Sequence, residues 1–180
     1  KQQITILQAE LSASVQPDSP AAVAVEFRRD AIIGHSPELD RVLETVRKDP
    51  EVVAAAPEVL SQSLLSAGAD YVEGVNVLGL DPDTGSRSVT TLPQSLTRGD
   101  LSFHPTRDDV DGGVILGARL AERMTVYPGD VVTLVPAKPA QVNRALGVGV
   151  PQYWQFEVTG TFETGMFLYD NQFVVMSREV

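Results

Sequence analysis

The stretch Gly112–Pro136, GGVILGARLAERMTVYPGDVVTLVP, limits the possible folds more than any other part of this sequence. Val114–Leu116 is a short apolar run of the kind a buried strand requires, and Gly117 breaks it. Ala118–Met124 then reads as a short helix with Leu120, Ala121 and Met124 on one face. Pro128-Gly129 predicts a type II turn, because proline presets φ at the second position and glycine accepts positive φ at the third. Val131–Val135, rich in β-branched residues, is a second strand. Strand, helix, turn and strand in so few residues make a compact β-α-β unit.

The flanking chain supplies further strands and one long helix. Gln3–Leu7 is predicted as a strand, Gln8–Pro20 as irregular, and Ala21–Ile33 as apolar chain with Val23, Val25 and Phe27 in strand alternation. After Gly34, Ser36 suits an N-cap, Pro37 the first helical position, and Glu38 and Asp40 the positively polarised first turn. Leu39, Val42, Leu43 and Val46 repeat at helical spacing, and Pro50 stops the helix beyond Arg47 and Lys48. A surface helix lying on a sheet is expected. Val52–Leu60 reads as a strand interrupted by Pro57. Ser61–Leu65 and Tyr71–Leu80 form a β pair about Ala67-Gly68-Ala69-Asp70, with Val75, Val77 and Gly79 on one face. Asp81–Gly85 is a turn, Val89–Gly99 holds a helical turn, Asp100–Gly112 is a polar loop, and Ala137–Pro151 is a long connection. Tyr153–Thr161 alternates as a half-buried strand, and Phe173–Met176 is the last strand.

Composition excludes several function classes. The formal charge of −10 opposes nucleic-acid binding, which needs a basic surface, and disfavours anionic lipid. With no cysteine there are neither disulfides nor thiolate metal sites. A chain of 180 residues, 43% hydrophobic and 21% charged, can bury one sizeable core or two small ones that share an interface. No apolar run approaches the roughly 20 residues that span a bilayer. Lys1 opens straight into an expected strand without a signal peptide, as expected of a domain excised from a longer chain. Asp81–Gly85 resembles a calcium loop, but its glycine falls one place early and the distal glutamate is missing. Asp100, His104, Asp108, Asp109 and Asp111 read as a charged surface loop, His35 as a loop residue, and Trp154, Phe156 and Phe162 as core. No G-x-S-x-G elbow or phosphate-binding glycine motif is present. The sequence therefore assigns no catalytic residue, no metal ligand and no cofactor.

Three phrases, VNVLGLDPDTG (Val75–Gly85), Gly112–Pro136, and FEVTGTFETGMFLYDNQFVVM (Phe156–Met176), resemble the extracytoplasmic domain of MacB-type ABC transporter permeases. Within that superfamily they are most similar to the lipoprotein-releasing permeases of the Lol system. Met124-Thr125-Val126 departs from the family, which has a Leu-Gly-Val-like helix stop there. The resemblance implies an α+β fold: a partial porter-like α/β layer plus an inserted, mostly β, sabre-like subdomain. Residues 1–59 would be the first half of the porter and 60–180 the insert, with the family's C-terminal porter return absent. It also implies that the domain performs no chemistry. Held in the inner membrane by the rest of the permease and facing the periplasm, it would couple ATP hydrolysis on a cytoplasmic ATPase subunit to lipoprotein release. Its implied partners are that ATPase, a second permease subunit and a periplasmic lipoprotein carrier.

In carrier-binding members a protruding hairpin follows the second strand of the β-α-β unit. The matching positions here are residues 137–154, with Val142, Arg144, Leu146, Val148, Val150, Pro151 and Tyr153 as the partner-binding set and Lys138 as a further cation. Two rival classes are a MacB-type permease exporting a peptide, toxin or small amphiphile, and an unrelated enzyme domain built on the same unit.

Overall fold

The computed structural model describes residues 37–50, 52, 55–68, 71–80, 90, 92–136, 141–143, 148–150 and 153–179. The expected strands at Gln3–Leu7 and Ala21–Ile33, His35, the Ser36 cap and the Asp81–Gly85 turn lie outside these residues.

Helix α1 covers Pro37–Arg47, between the two prolines that the sequence reading placed at its ends. Its apolar stripe is narrower than the spacing predicts: Leu43 is buried, Val46 half-buried and Val42 exposed. Leu43 belongs to neither apolar core, so the expected seat on a sheet is not what buries it. The Arg47 guanidinium, through Nε and Nη2, instead donates to the Ala55 carbonyl at 3.1 and 2.8 Å and turns the chain back toward the first strand.

The strands are β1 (Glu58–Ala67), β2 (Tyr71–Leu80), β3 (Leu96–Gly99), β4 (Gly112–Gly117), β5 (Val131–Pro136), β6 (Gln141–Asn143), β7 (Val148–Val150), β8 (Trp154–Phe162) and β9 (Phe173–Ser177). β1 starts immediately after Pro57, whose missing N–H cannot serve a ladder. β1 and β2 form the expected antiparallel pair, longer than predicted and turned at Gly68. The helical turn expected before Gly99 is α2 (Leu92–Ser95), and β3 follows it directly.

In the main sheet β8, β4, β9, β2, β1 and β5 follow one another, and β5 also pairs with β8. Six strands therefore close into a barrel, with β3 attached to the far half of β8. Closure leaves few ladder groups at an edge. The β-α-β unit is present, but its strands are not neighbours: β8 lies between them, parallel to β4 and antiparallel to β5. The whole is an α+β fold.

β4 and β9 are buried along their full length, because alternate residues feed two cores. Val114, Leu116, Val174 and Met176 point into the barrel with Val75, Val132 and Phe156, and the first helix-face residues Leu120, Ala121 and Met124 plug its end from α3 (Ala118–Met124). Ile115, Phe173 and Val175 face outward and pack with Phe162, Leu92 and Leu80 under Leu96, Leu101 and Phe103. β8 was expected to be half-buried and is instead covered on both faces. The loop from Asp100 to Asp111 straps its outer side: Thr159 Oγ1 donates to the Ser102 carbonyl at 2.6 Å, and Phe103 accepts from the Gly113 N–H at 2.8 Å.

The type II turn forms as predicted. Asp130 N–H donates to the Tyr127 carbonyl at 3.0 Å, and Gly129 takes φ +99°. At the end of α3, Thr125 N–H donates to the Glu122 carbonyl and Val126 N–H to the Ala121 carbonyl, a Schellman pair. That geometry puts Thr125 at φ 55°, ψ 42°, where a β-branched residue is strained. Thr125→Gly is expected to raise stability by about 1 kcal/mol by relieving the left-handed conformation. A urea midpoint that stays or falls, at constant slope, would show that the cap stores no such strain.

Candidate docking site

The hairpin expected within residues 137–154 forms from β6 and β7, which pair only with each other in a two-stranded sheet separate from the barrel. Gln141 stands opposite Val150, Val142 opposite Gly149, and Asn143 opposite Val148. The expected partner-binding valines thus occupy positions of opposite parity: Val148 and Val150 in one set, Val142 in the other. Lys138, Arg144, Leu146 and Pro151 lie outside the described residues.

The hairpin is rooted in the barrel wall. Its two stems are β5, ending at Pro136, and β8, beginning at Trp154, and they are adjacent through the Leu134–Trp154 pair. Trp154 is partly buried against the inner core and anchors the second stem. Tyr153, the expected contact residue next to it, is 66% exposed. Asp111 ties the same root, since its carboxylate accepts from the Gln155 N–H at 2.8 Å and its own N–H donates to the Gln155 carbonyl at 2.7 Å.

The acidic loop is held by its own chemistry. Buried Glu157 accepts from Thr106 N–H at 2.6 Å and Thr106 Oγ1 at 2.7 Å. Arg107 forms a two-pronged bond to Asp109 at 2.9 and 2.8 Å. That hydrogen bond, with the attraction of the opposite charge, holds the Asp109 carboxyl below the usual aspartate range and raises the Arg107 guanidinium. Asp109 and Asp111 are thereby used structurally, and among the described residues no three His, Asp or Glu side chains gather as metal ligands.

A second exposed element escaped the sequence reading. Residues 163–170 do join two strands, β8 and β9, as expected, but they include helix α4 (Phe167–Gln172). Buried Asp170 accepts from Thr164 N–H at 2.7 Å, Thr164 Oγ1 at 2.9 Å and Gly165 N–H at 3.1 Å. Gly117 lets α4 sit against the end of β4, because a Cβ there would come within 2.4 Å of the Asp170 carbonyl oxygen. Held this way, the turn and helix present Met166, Phe167 and Leu168 to solvent, Phe167 at 82% exposure. The available signal was the apolar triplet after Thr164-Gly165. Nothing in its spacing separated a buried run from a displayed one.

Over 122 residues, 67% of its length, the chain is 34% identical to the lipoprotein-releasing system transmembrane protein LolC of Neisseria meningitidis serogroup B. The match spans only 27% of that relative. Among solved structures, the extracellular domain of the noncanonic ABC-type transporter YknZ from Gram-positive bacteria superposes with TM-score 0.48 at 13% identity. That superposition covers 77% of this chain and 62% of the other. No protein-family model matches. Among the described residues no helix is long and apolar enough to cross a membrane. The chain is an extracytoplasmic domain of a LolC-like ABC transporter permease.

Proposed function

We propose that this domain is the periplasmic part of an inner-membrane permease that releases lipoproteins and passes them to a soluble carrier through the hairpin of residues 137–154. The observation that carries the reading is the separate two-stranded sheet β6–β7, rooted on two adjacent barrel strands. A projecting ribbon with a fixed base loses little entropy when a partner closes on it. The similarity to a lipoprotein-releasing permease supplies the cargo class. The ATPase would be a separate cytoplasmic subunit, reached through membrane segments of the permease, and a second permease subunit would complete the transporter.

The barrel is suited to be an insert. Glu58, Leu80 and Ser177 stand side by side on neighbouring strands, so the chain enters and leaves the barrel roughly 10 Å apart. Close termini let a domain sit within another without distorting either. This supports residues 60–180 as the sabre-like part and 1–59 as the first porter half.

The test is binding of the chain to a periplasmic lipoprotein carrier by calorimetry, with Leu146→Asp and Val148→Asp as variants. Each is expected to weaken binding at least about tenfold, the effect of losing one well-buried apolar contact. Unchanged affinity in both variants would remove the hairpin from the interface. Absence of carrier binding by the unaltered chain would favour a permease with a different cargo.

A further inference from the structure

The outer face of the β1–β2 ribbon is bare of charge. Residues alternate inward and outward, and the outward set carries no ionisable group from Leu60 to Ser66 on β1 or from Val72 to Leu78 on β2. That is unusual in a chain with 21% charged residues and a net charge of −10. Leu60, Leu64 and Val72 on this face are 38%, 47% and 59% exposed. The face runs on into the outer core, because Leu60 pairs with Leu78 and Asn76 with Phe173. Phe173 in turn stacks on Tyr169 of α4, with ring centroids 4.5 Å apart. Met166, Phe167 and Leu168 extend the apolar surface around α4.

These two groups of large apolar side chains, about half exposed on average, present on the order of 700 Å² if each spans roughly 150–250 Å². That exceeds the ~300–600 Å² of the largest apolar patch on an ordinary monomer. It approaches the ~800 Å² that one partner contributes to a standard interface. The surface is also pre-ordered, since Asp170 and Gly117 fix the turn that carries Met166 and Phe167.

Charge decides the occupant. The ionisable groups beside α4 already engage one another: Arg123 bonds Glu73 at 3.0 Å, and Arg119 meets Glu122 at 3.5 Å and Glu163 at 4.0 Å. A charged segment laid on this face would lose its hydration without gaining a counter-charge. Two copies of a strongly acidic chain, by contrast, can approach through such a face without setting carboxylate against carboxylate. We infer that the β1–β2/α4 face docks on the same face of a second copy of this domain, an isologous contact. The contact is separate from the carrier hairpin, since β8 runs from the hairpin root at Trp154 to the α4 turn after Phe162.

Sedimentation velocity of the whole chain over a range of concentrations is expected to show a monomer–dimer equilibrium, with Kd on the order of 10–100 μM for a contact of this size. Leu64→Asp and Phe167→Asp should each raise Kd at least tenfold, whereas Leu146→Asp in the hairpin should leave it unchanged. Because the chain has no cysteine, Leu64→Cys treated with a bismaleimide should trap dimers, and Tyr153→Cys should not. A monomer at every concentration, equal trapping at both cysteines, or co-sedimentation with neutral phosphatidylcholine vesicles in place of dimerisation would each overturn the contact.

Discussion

Asp170→Ala is expected to lower the stability of the domain by about 2–4 kcal/mol, as loss of a buried, multiply bonded acceptor does. The side chain is 4% exposed and accepts three hydrogen bonds, two from backbone N–H groups of the turn Thr164-Gly165. Alanine leaves those donors facing a gap. The turn holds α4 against Gly117 and α3, where Arg123 Nη1 and Nη2 donate to Oδ1 and the carbonyl of Asn171, both at 2.9 Å. Loosening the turn therefore loosens the plug of the barrel as well. Asp170→Asn keeps the shape and one acceptor, and should cost about half as much. Urea unfolding measures both. A loss below ~1 kcal/mol for alanine would mean that water replaces the carboxylate, and that the turn is not what positions α4.

Phe156→Ala should cost more, about 3–5 kcal/mol. Phe156 is 1% exposed, and its backbone pairs with Gly112 on one side and Val132 on the other. It stands where β8 is held between β4 and β5, at the seam that closes the barrel. Removal of the ring opens a cavity among Val114, Val132, Leu134 and their neighbours in the inner core, and rigid strands on both sides prevent its collapse. Hydrogen exchange adds a localised readout: amides of β5 should lose protection before those of β9, which has two other partner strands. Uniform loss of protection would show that the seam is no weaker than the rest of the wall. Because the seam carries the hairpin root, the same variant should also weaken any binding through residues 137–154.

Local structure was legible wherever neighbouring residues dictate it. Pro37 and Pro50 bracket α1, Pro128-Gly129 makes the type II turn, and Gly117 ends one strand and starts a helix. The β1–β2 pair was legible for the same reason, since a short turn leaves its arms little choice of partner. β8 misled the reading because its alternation is real, but the strap from Asp100 to Asp111 covers the side that the pattern assigns to water. Glu157 shows how that works: an acidic residue points outward, as alternation demands, and is then buried against Thr106, 51 residues away in sequence.

The candidate sites divide along the same line. A hairpin between β5 and β8 was readable, since Pro136 and Pro139 stop the strand and an apolar segment follows. The displayed face of β1, β2 and α4 was not. Leu60, Leu64, Val72 and Phe167 have the hydrophobicity of core residues, and only the barrel's curvature places them outside it. Amino-acid sequence alone determined the strand, helix and turn positions, the two-stranded hairpin and the absence of charge on alternate residues of β1 and β2, because each depends on bonds and sterics within a few residues. Tertiary structure alone decided that six strands close through the β5–β8 pairing, that β4 and β9 feed two cores, and that Phe167 faces water. Those outcomes depend on contacts between residues far apart in the chain, whose burial is shared among several elements and belongs to none of them singly.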